Sequence, residues 1–64
     1  MAIKLKAARV NAGLTQAQAS KCLGISKGTI ASYEKYLTKP DMELGKKIAA
    51  LYKMSVDDIA WSDS

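Results

Sequence analysis

The segment GISKGTIASYE, residues 24–34, places a lysine, Lys27, and the hydroxyl side chains of Thr29 and Ser32 at helical spacing. Positions 28 and 32 are four apart and share a helix face, with position 29 beside it. Lys27 donates hydrogen bonds from a full positive charge, whereas Thr29 and Ser32 can each donate or accept. Gly28 adds no side chain to this face. These side chains can recognise a partner through charge and hydrogen bonding.

The rest of the sequence contains no set of residues suited to catalysis or metal binding. The chain has no His and a single Cys, Cys22, which excludes an internal disulfide and a Cys/His metal cluster. Paired carboxylates suggesting an active site and a Gly-rich phosphate loop are also absent. We therefore expect no enzymatic activity, no cofactor and no small-molecule ligand. We expect Cys22 to be a small buried apolar residue.

The charge of the 64 residues is unevenly distributed about a formal net value of +4. Residues 1–54 contain all ten Lys and Arg but only three acidic residues, whereas the last ten residues contain three Asp. A basic body with an acidic end suggests a polyanionic partner for one surface. The N-terminal MAIKLKAARV lacks an apolar run long enough for a signal peptide or a membrane span. With its unpaired Cys, the chain is expected to be cytoplasmic, without a membrane partner.

Apolar residues recur at helical spacing between Gly, Pro and cap-like residues, without the sustained alternation typical of strands. The pattern predicts one all-α domain over residues 1–64, a compact bundle of five short helices. The helices are expected at about 3–12 before Gly13, from Thr15 to before Gly24, from Ser26 to about 35, after an Asp41 cap, and as a last turn or two opened by Ser55. A chain this short buries only about 60% of its unfolded surface, so dimerisation is a natural aid to its stability.

Residues 15–34, TQAQASKCLGISKGTIASYE, form two of these helices, joined by a tight turn at Gly24. Here the sequence resembles the Cro/cI-type (XRE-like) helix-turn-helix family of phage repressors and bacterial transcriptional regulators. The resemblance runs from Leu5 to Ile59 through an ordered series: Arg9, GLTQ at 13–16, LGIS at 23–26, Thr29, Ile30, YE at 33–34, Pro40, IA at 48–49 and MSVDDI at 54–59. It implies a lambda-repressor-like DNA-binding domain with its helix-turn-helix at about 16–35. The expected setting is the cytoplasm of a bacterial or phage-infected cell.

The resemblance also implies a role for individual residues. The third helix would lie in the major groove of double-stranded DNA, with four residues facing the bases: Lys27, Gly28, Thr29 and Ser32. Contacts with phosphates would come from Gln16, Tyr33, Lys35, Thr38 and Lys39. Arg9 and Glu34 match a structural ion pair of the family that ties the first helix to the end of the third.

One such unit reads only a few base pairs, so the expected function is that of a repressor binding a palindromic operator as a homodimer. Val56, Ile59 and Trp61 are the expected dimer interface; alternatively, all three complete the monomer core. A second interpretation is a protein-interaction module of the same fold, such as an antitoxin or a partner of another regulator, with DNA binding secondary. An exposed patch at Tyr36 and Leu37 would favour that interpretation.

Two features of the sequence depart from the family pattern. The third helix usually ends in Asn-Gly after the Glu, whereas this chain has Lys35-Tyr36. If the left-handed turn is kept, the missing Gly destabilises it by about 1 kcal/mol; otherwise the helix runs on or the loop changes shape. The other departure is Gly28, which gives up a side-chain contact and allows closer approach to the groove.

Overall fold

Four α-helices and a short parallel strand pair make up residues 2–63, the part of the chain that the computed structural model describes; Met1 and Ser64, the ends of the expected domain, lie outside it. In chain order the elements are β1 (Ile3–Lys4), α1 (Leu5–Asn11), α2 (Gln16–Leu23), α3 (Lys27–Glu34), α4 (Met42–Leu51), a 3₁₀ helix (Val56–Asp58) and β2 (Ile59–Ala60). The helical class expected from the sequence holds, but the number of five helices is wrong.

Side-chain caps begin three of the helices at the positions that the sequence predicts. Thr15 Oγ1 accepts from the Gln18 backbone N–H at 3.1 Å, and Gln18 Oε1 accepts from the Thr15 N–H at 2.9 Å, which completes a capping box. Ser26 and Asp41 each accept from the backbone N–H three residues further on. Each cap satisfies an amide that has no partner within its helix, and replacing one by Ala typically destabilises a protein by about 1 kcal/mol.

The predicted start of the first helix at residue 3 is wrong. Ile3 and Lys4 form a strand that pairs in parallel with Ile59 and Ala60, and the helix begins at Leu5. Lys4 is extended, with ψ 150°, and its side chain makes no capping bond. The residues before Leu5 include no Ser, Thr, Asp or Asn to cap a helix there, so these amides and carbonyls find partners in the strand pair instead.

The predicted fifth helix is also wrong beyond its first turn. Val56–Asp58 form a single 3₁₀ turn, closed by a bond from the Asp58 N–H to the Ser55 carbonyl at 3.0 Å. Ile59 then adopts extended angles, φ −111° and ψ 133°, and enters the strand pair. The backbone partners offered by β1 replace those that another helical turn would have supplied.

The core lies between the four α-helices and β2. Its buried apolar residues are Leu5, Ala8, Ala19, Ile30, Ile48, Ala49, Tyr52 and Ile59. Cys22 is exposed, so the expectation that it is buried is wrong. Ala19 and Leu23, four apart, turn one face of α2 inward, and Cys22 lies off that face.

All four α-helices end in a left-handed turn, in which two backbone N–H groups reach back to carbonyls of the last helical turn; in α2 the left-handed residue is Gly24. Gly13 occupies the left-handed position after α1, with φ +76°, as the sequence predicts. Tyr36 occupies it after α3 and Lys53 after α4, each with φ +59°. The missing Gly after α3 has therefore not changed the turn: the alternatives of a longer helix or a reshaped loop do not apply.

Candidate nucleic-acid interface

The corner between α2 and α3 fixes the direction of α3. Gly24 supplies the left-handed residue, with φ +70°, and the Ile25 N–H donates to the Ser20 carbonyl at 3.1 Å. Ile30 is buried, and Leu23 and Ile25 pack against the same core. These apolar contacts hold the inner face of α3 and leave its other face towards solvent.

Lys27 and Gly28 are exposed at the start of α3. A Cβ placed on Gly28 would have the Ser26 Oγ, 3.9 Å away, as its nearest neighbour beyond the adjacent residues and the helix's own backbone, which is ordinary van der Waals contact. Gly28 is helical and does not have a positive φ. Neither packing nor backbone conformation therefore requires a glycine here.

Thr29 is half-buried, and its hydroxyl forms a hydrogen bond with Ser26 Oγ at 2.8 Å. The same Ser26 oxygen accepts the Thr29 backbone N–H at 3.1 Å. The Thr29 hydroxyl is thus already engaged in the cap of its own helix. Because this bond orients the Thr29 hydroxyl, the hydroxyl can form a further hydrogen bond only with a group that lies close to it on its free side.

Ser32 lies one turn further along α3 and is half-buried. Its Oγ is 2.9 Å from the Oγ1 of Thr38, an exposed residue of the loop after α3. The structure thus joins a residue expected to face a base with one expected to contact a phosphate. This hydroxyl pair is not evident from the sequence.

An ion pair joins α1 to the end of α3, between the residues that the family resemblance implies. Arg9 Nε lies 2.6 Å from Glu34 Oε2, and the two side chains are 9% and 5% exposed. Arg9 Nη1 also donates to the Leu14 carbonyl at 2.7 Å, which fixes the chain just before α2. One buried guanidinium therefore ties together the end of α1, the approach to α2 and the end of α3.

Gln16, the first residue of α2, also bonds to this carboxylate. Its Nε2 donates to Glu34 Oε1 at 3.0 Å, and the side chain is half-buried. An amide nitrogen carries two hydrogens, so one remains for an outside acceptor. Glu34 thereby holds Gln16 at the N-terminus of α2, where backbone N–H groups and the helix dipole favour an anion.

Tyr52 packs in the core close to this network. Burial raises the pKa of Tyr52 to about 12; the Glu34 carboxylate adds to the rise and the Arg9 guanidinium opposes it. The folded state thus holds the phenolic proton more tightly than an unfolded chain, whose tyrosines titrate near pH 10. The resulting contribution to stability is complete below about pH 10 and is lost as pH rises towards 12.

Tyr36 turns its side chain towards the strand pair. Its hydroxyl accepts the Leu5 backbone N–H at 3.2 Å and donates to the Ala60 carbonyl at 3.0 Å. Leu5 begins α1 without a side-chain cap, so Tyr36 satisfies one of the free amides of that helix from 31 residues away. The bulky residue in the left-handed turn is thus an anchor that joins the end of α3 to the start of α1 and to β2.

The remaining residues expected to contact phosphates lie around the same loop. Lys35 and Lys39 are exposed, and Tyr33 is half-buried and packs against the core. Gln16 and Thr38 are held against α3 by their hydrogen bonds to Glu34 and Ser32. A helix face with hydrogen-bonding groups at its centre and cations at its edge matches the arrangement of a helix that enters a nucleic-acid groove.

The profile of the helix-turn-helix family matches residues 5–59 of the chain. The chain belongs to the helix-turn-helix family. It is 35% identical over 60 residues to the HTH-type transcriptional regulator ImmR of Bacillus subtilis, covering 94% of this chain and 47% of that protein. It is 39% identical over 56 residues to an uncharacterized HTH-type transcriptional regulator of Methanocaldococcus jannaschii, covering 88% of this chain and 85% of that protein.

These comparisons confirm the family expected from the sequence and support a DNA-binding regulator. The chain spans about half the length of ImmR but most of the length of the archaeal relative. Within residues 2–63, this helix-turn-helix domain has no helix long and apolar enough to cross a membrane. The same residues bring together no group of three or more His, Cys, Asp or Glu that could hold a metal ion.

The C-terminal residues of the helix-turn-helix domain differ in their availability to a partner. Ile59 is 3% exposed and pairs with Ile3, so its side chain completes the core, which is the alternative that the sequence left open for it. Val56 is exposed, and Trp61 is half-buried beside Gly45. Val56, Trp61 and Gly45 line an open apolar groove of about 420 Å³ together with Pro40 and Met42. Lys39, Asp41 and Lys46 also line it.

Sequence reasoning missed three features of this interface: the Tyr36 anchor, the Ser32–Thr38 pair and the bond from Gln16 to Glu34. A signal existed for the first, because a tyrosine stands at the left-handed position where the family usually has Gly. The other two depend on side-chain directions that the loop after α3 and the turn before α2 set in three dimensions. Spacing alone does not predict them.

Proposed function

We propose that the protein is a sequence-specific regulator of transcription that binds double-stranded DNA through α3 in the major groove. The observation that carries the proposal is the solvent-facing side of α3, where Lys27, Gly28, Thr29 and Ser32 lie on a helix fixed at both ends. The Ser26 cap fixes its start, and the Arg9–Glu34 pair fixes its end. Such a helix presents its side chains to base edges at little further entropic cost.

Phosphate contacts supply most of the affinity in this proposal, and base contacts supply the choice of site. Gln16 binds one phosphate at the start of α2, with the amide hydrogen that Glu34 leaves free. The loop after α3 and its neighbours bind the next phosphates. Those contacts come from Tyr33, Lys35, Thr38 and Lys39.

Base readout falls to the first turn and a half of α3. Lys27 donates to guanine O6 or N7. Thr29 directs its hydroxyl and methyl groups at one neighbouring base, in the orientation that its bond to Ser26 sets. Gly28 lets the helix N-terminus approach the groove closely, because it has no side chain and is exposed.

The regulator acts as a homodimer on a palindromic operator in this proposal. The described part of the molecule measures 27 × 23 × 20 Å, so two copies fit side by side on half-sites about 34 Å apart. The apolar groove bounded by Met42, Val56 and Trp61 is the surface through which they associate. Met42 is 79% exposed. Covering this apolar side chain with a second copy of the chain would remove it from water. Occupying the operator blocks polymerase, which makes the protein a repressor.

We do not propose the protein-interaction alternative, because the exposed patch expected at Tyr36 and Leu37 is smaller in the folded protein. Tyr36 bonds to Leu5 and Ala60, so the exposed apolar group of that loop is Leu37 alone.

Selection of bound duplexes from a random DNA pool, repeated at several salt concentrations, tests the proposal. We expect enrichment of a palindrome whose half-sites lie one helical turn apart, with affinity falling steeply as salt rises. If no sequence is enriched and binding disappears near physiological salt, operator binding is wrong. Enrichment of isolated half-sites by a protein that sediments as a monomer would contradict the dimer alone.

Replacing Lys39 by Ala is expected to weaken binding to all duplexes alike, because an exposed loop lysine contacts the backbone and not the bases. The slope of log affinity against log salt should become shallower by about 1, the contribution of one phosphate contact. Lys47→Ala is the matched control, since Lys47 is an exposed lysine on α4 to which no DNA contact is assigned. Equal slopes for the two variants would remove Lys39 from the interface.

Gly28→Ser is expected to keep the fold and change the preferred base at one position of each half-site. The new Cβ has room, and Ser is at least as stable as Gly in the first turn of a helix. Thermal unfolding followed by circular dichroism checks the fold, and a repeated selection reads the preference. An unchanged operator would show that position 28 does not face a base.

A further inference from the structure

The hydroxyl pair between Ser32 and Thr38 is held in place by the turn that ends α3. The Leu37 backbone N–H donates to the Ser32 carbonyl at 3.0 Å, and the Tyr36 N–H donates to the Tyr33 carbonyl at 3.0 Å. These bonds fold the loop back over the last turn of α3. Thr38 Oγ1 thereby comes to lie 2.9 Å from Ser32 Oγ.

The pair shares hydrogens in one of two ways. Each hydroxyl has one hydrogen and two lone pairs, and only one hydrogen lies between the oxygens. If Thr38 donates, Ser32 keeps its own hydrogen for an outside acceptor. If Ser32 donates, its oxygen is left as an acceptor only. In the free protein either atom can be the donor.

A phosphate bound to Thr38 would remove this freedom. Phosphate oxygens only accept hydrogen bonds, so a phosphate contact uses the single hydrogen of the Thr38 hydroxyl. Thr38 must then accept from Ser32, and Ser32 faces the groove as an acceptor. The bond also strengthens in this direction, because hydrogen bonds in a chain polarise one another.

We propose that Thr38 is a specificity-determining positioning residue, which converts its own phosphate contact into a preference of Ser32 for an amino-bearing base. In the major groove, adenine offers its N6 amino group and cytosine its N4 amino group, whereas the edges of guanine and thymine offer acceptors. The base that Ser32 faces is therefore adenine or cytosine. This inference rests on the proposed function, since it requires α3 in the groove and Thr38 on the backbone.

Selections with four proteins test it: the parent, Ser32→Ala, Thr38→Val and Thr38→Ser. Ser32→Ala identifies the base position at which preference is lost. There, the parent should prefer adenine or cytosine by about twofold to tenfold, the discrimination that one hydrogen bond supplies. Thr38→Val keeps Ser32 and the shape of residue 38, but should lose the same preference, because Ser32 is then free to donate or accept.

Thr38→Ser keeps the hydroxyl and should keep the preference. Lys39→Ala is the matched control for a lost phosphate contact, and should weaken binding without changing the preferred base. Because Thr38 is exposed, none of these substitutions at residue 38 removes core packing; thermal unfolding confirms that each variant is folded.

Three results would overturn the inference while leaving the proposed function intact. The parent could prefer guanine or thymine at the Ser32 position, Ser32→Ala could leave the whole operator unchanged, or Thr38→Val could weaken all duplexes equally without relaxing that preference. A parent that enriches no sequence would instead overturn the proposed function, and this inference with it.

Discussion

Glu34→Ala is expected to leave the protein only marginally stable at ordinary temperatures. The substitution leaves the Arg9 guanidinium, whose side chain is 9% exposed, without its charge partner, and it removes the acceptor for Gln16. Breaking a buried ion pair from one side typically destabilises a protein by about 3–5 kcal/mol. Small domains have stabilities near the lower end of about 5–15 kcal/mol, so this loss takes most of what is available. Urea denaturation followed by circular dichroism measures it.

The chain provides its own control for this prediction. Lys4 and Asp63 form an ion pair of 3.8 Å whose side chains are both 75% exposed. Asp63→Ala should change the urea midpoint very little, because solvent screens exposed pairs. Replacing both Arg9 and Glu34 by apolar residues of similar size should recover much of the stability that Glu34→Ala loses. Equal midpoints for Glu34→Ala and Asp63→Ala would show that the buried pair contributes little.

Tyr36→Gly and Lys53→Gly are expected to change stability in opposite directions, although both residues have φ +59°. The side chain of Lys53 is exposed at the end of α4, so Gly relieves the strain of the left-handed backbone at little loss. A gain of up to about 1 kcal/mol follows, which is a rise of several degrees in Tm for a domain of this size.

At Tyr36, the relief of backbone strain is smaller than the stability that the side chain contributes. Gly removes a half-buried ring and leaves the Leu5 N–H and the Ala60 carbonyl without the hydroxyl that joins them. We expect a net loss of about 2–3 kcal/mol from the lost packing and hydrogen bonds. Tyr36→Phe separates the two effects, since it keeps the ring and removes the hydroxyl. If Tyr36→Gly raises Tm as Lys53→Gly does, the anchor has no energetic importance.

Local signals predicted the parts of the fold that depend on neighbours in sequence. Thr15 with Gln18, Ser26 and Asp41 begin their helices as expected, because each cap is formed by residues at most three positions apart. Gly13 likewise ends α1 as expected, since the left-handed turn there needs no distant partner. The family resemblance added one long-range contact that local signals do not predict, the Arg9–Glu34 ion pair.

The strand pair could not be predicted in this way. Ile3 and Ile59 pair across nearly the whole chain, and two-residue strands leave no alternating pattern to detect. The isoleucine at position 59 therefore looked available for a dimer, although its backbone and side chain are both used inside the monomer. The Ser32–Thr38 pair could not be predicted for a related reason. It depends on the left-handed turn at Tyr36, whose side chain bonds to Leu5 and Ala60, both distant in sequence.

The position of Trp61 gives the protein a built-in optical probe. It is the single tryptophan of the sequence, its ring lies 3.8 Å from where a Cβ on Gly45 would be, and its Nε1 donates to the Val56 carbonyl at 2.9 Å. Tryptophan emission therefore reports whether the segment after α4 is seated on that helix, whereas far-ultraviolet circular dichroism reports the helices themselves. Coincident transitions by the two signals indicate a single cooperative unit. An earlier change in emission would show that the C-terminal segment detaches while the helix-turn-helix is still folded.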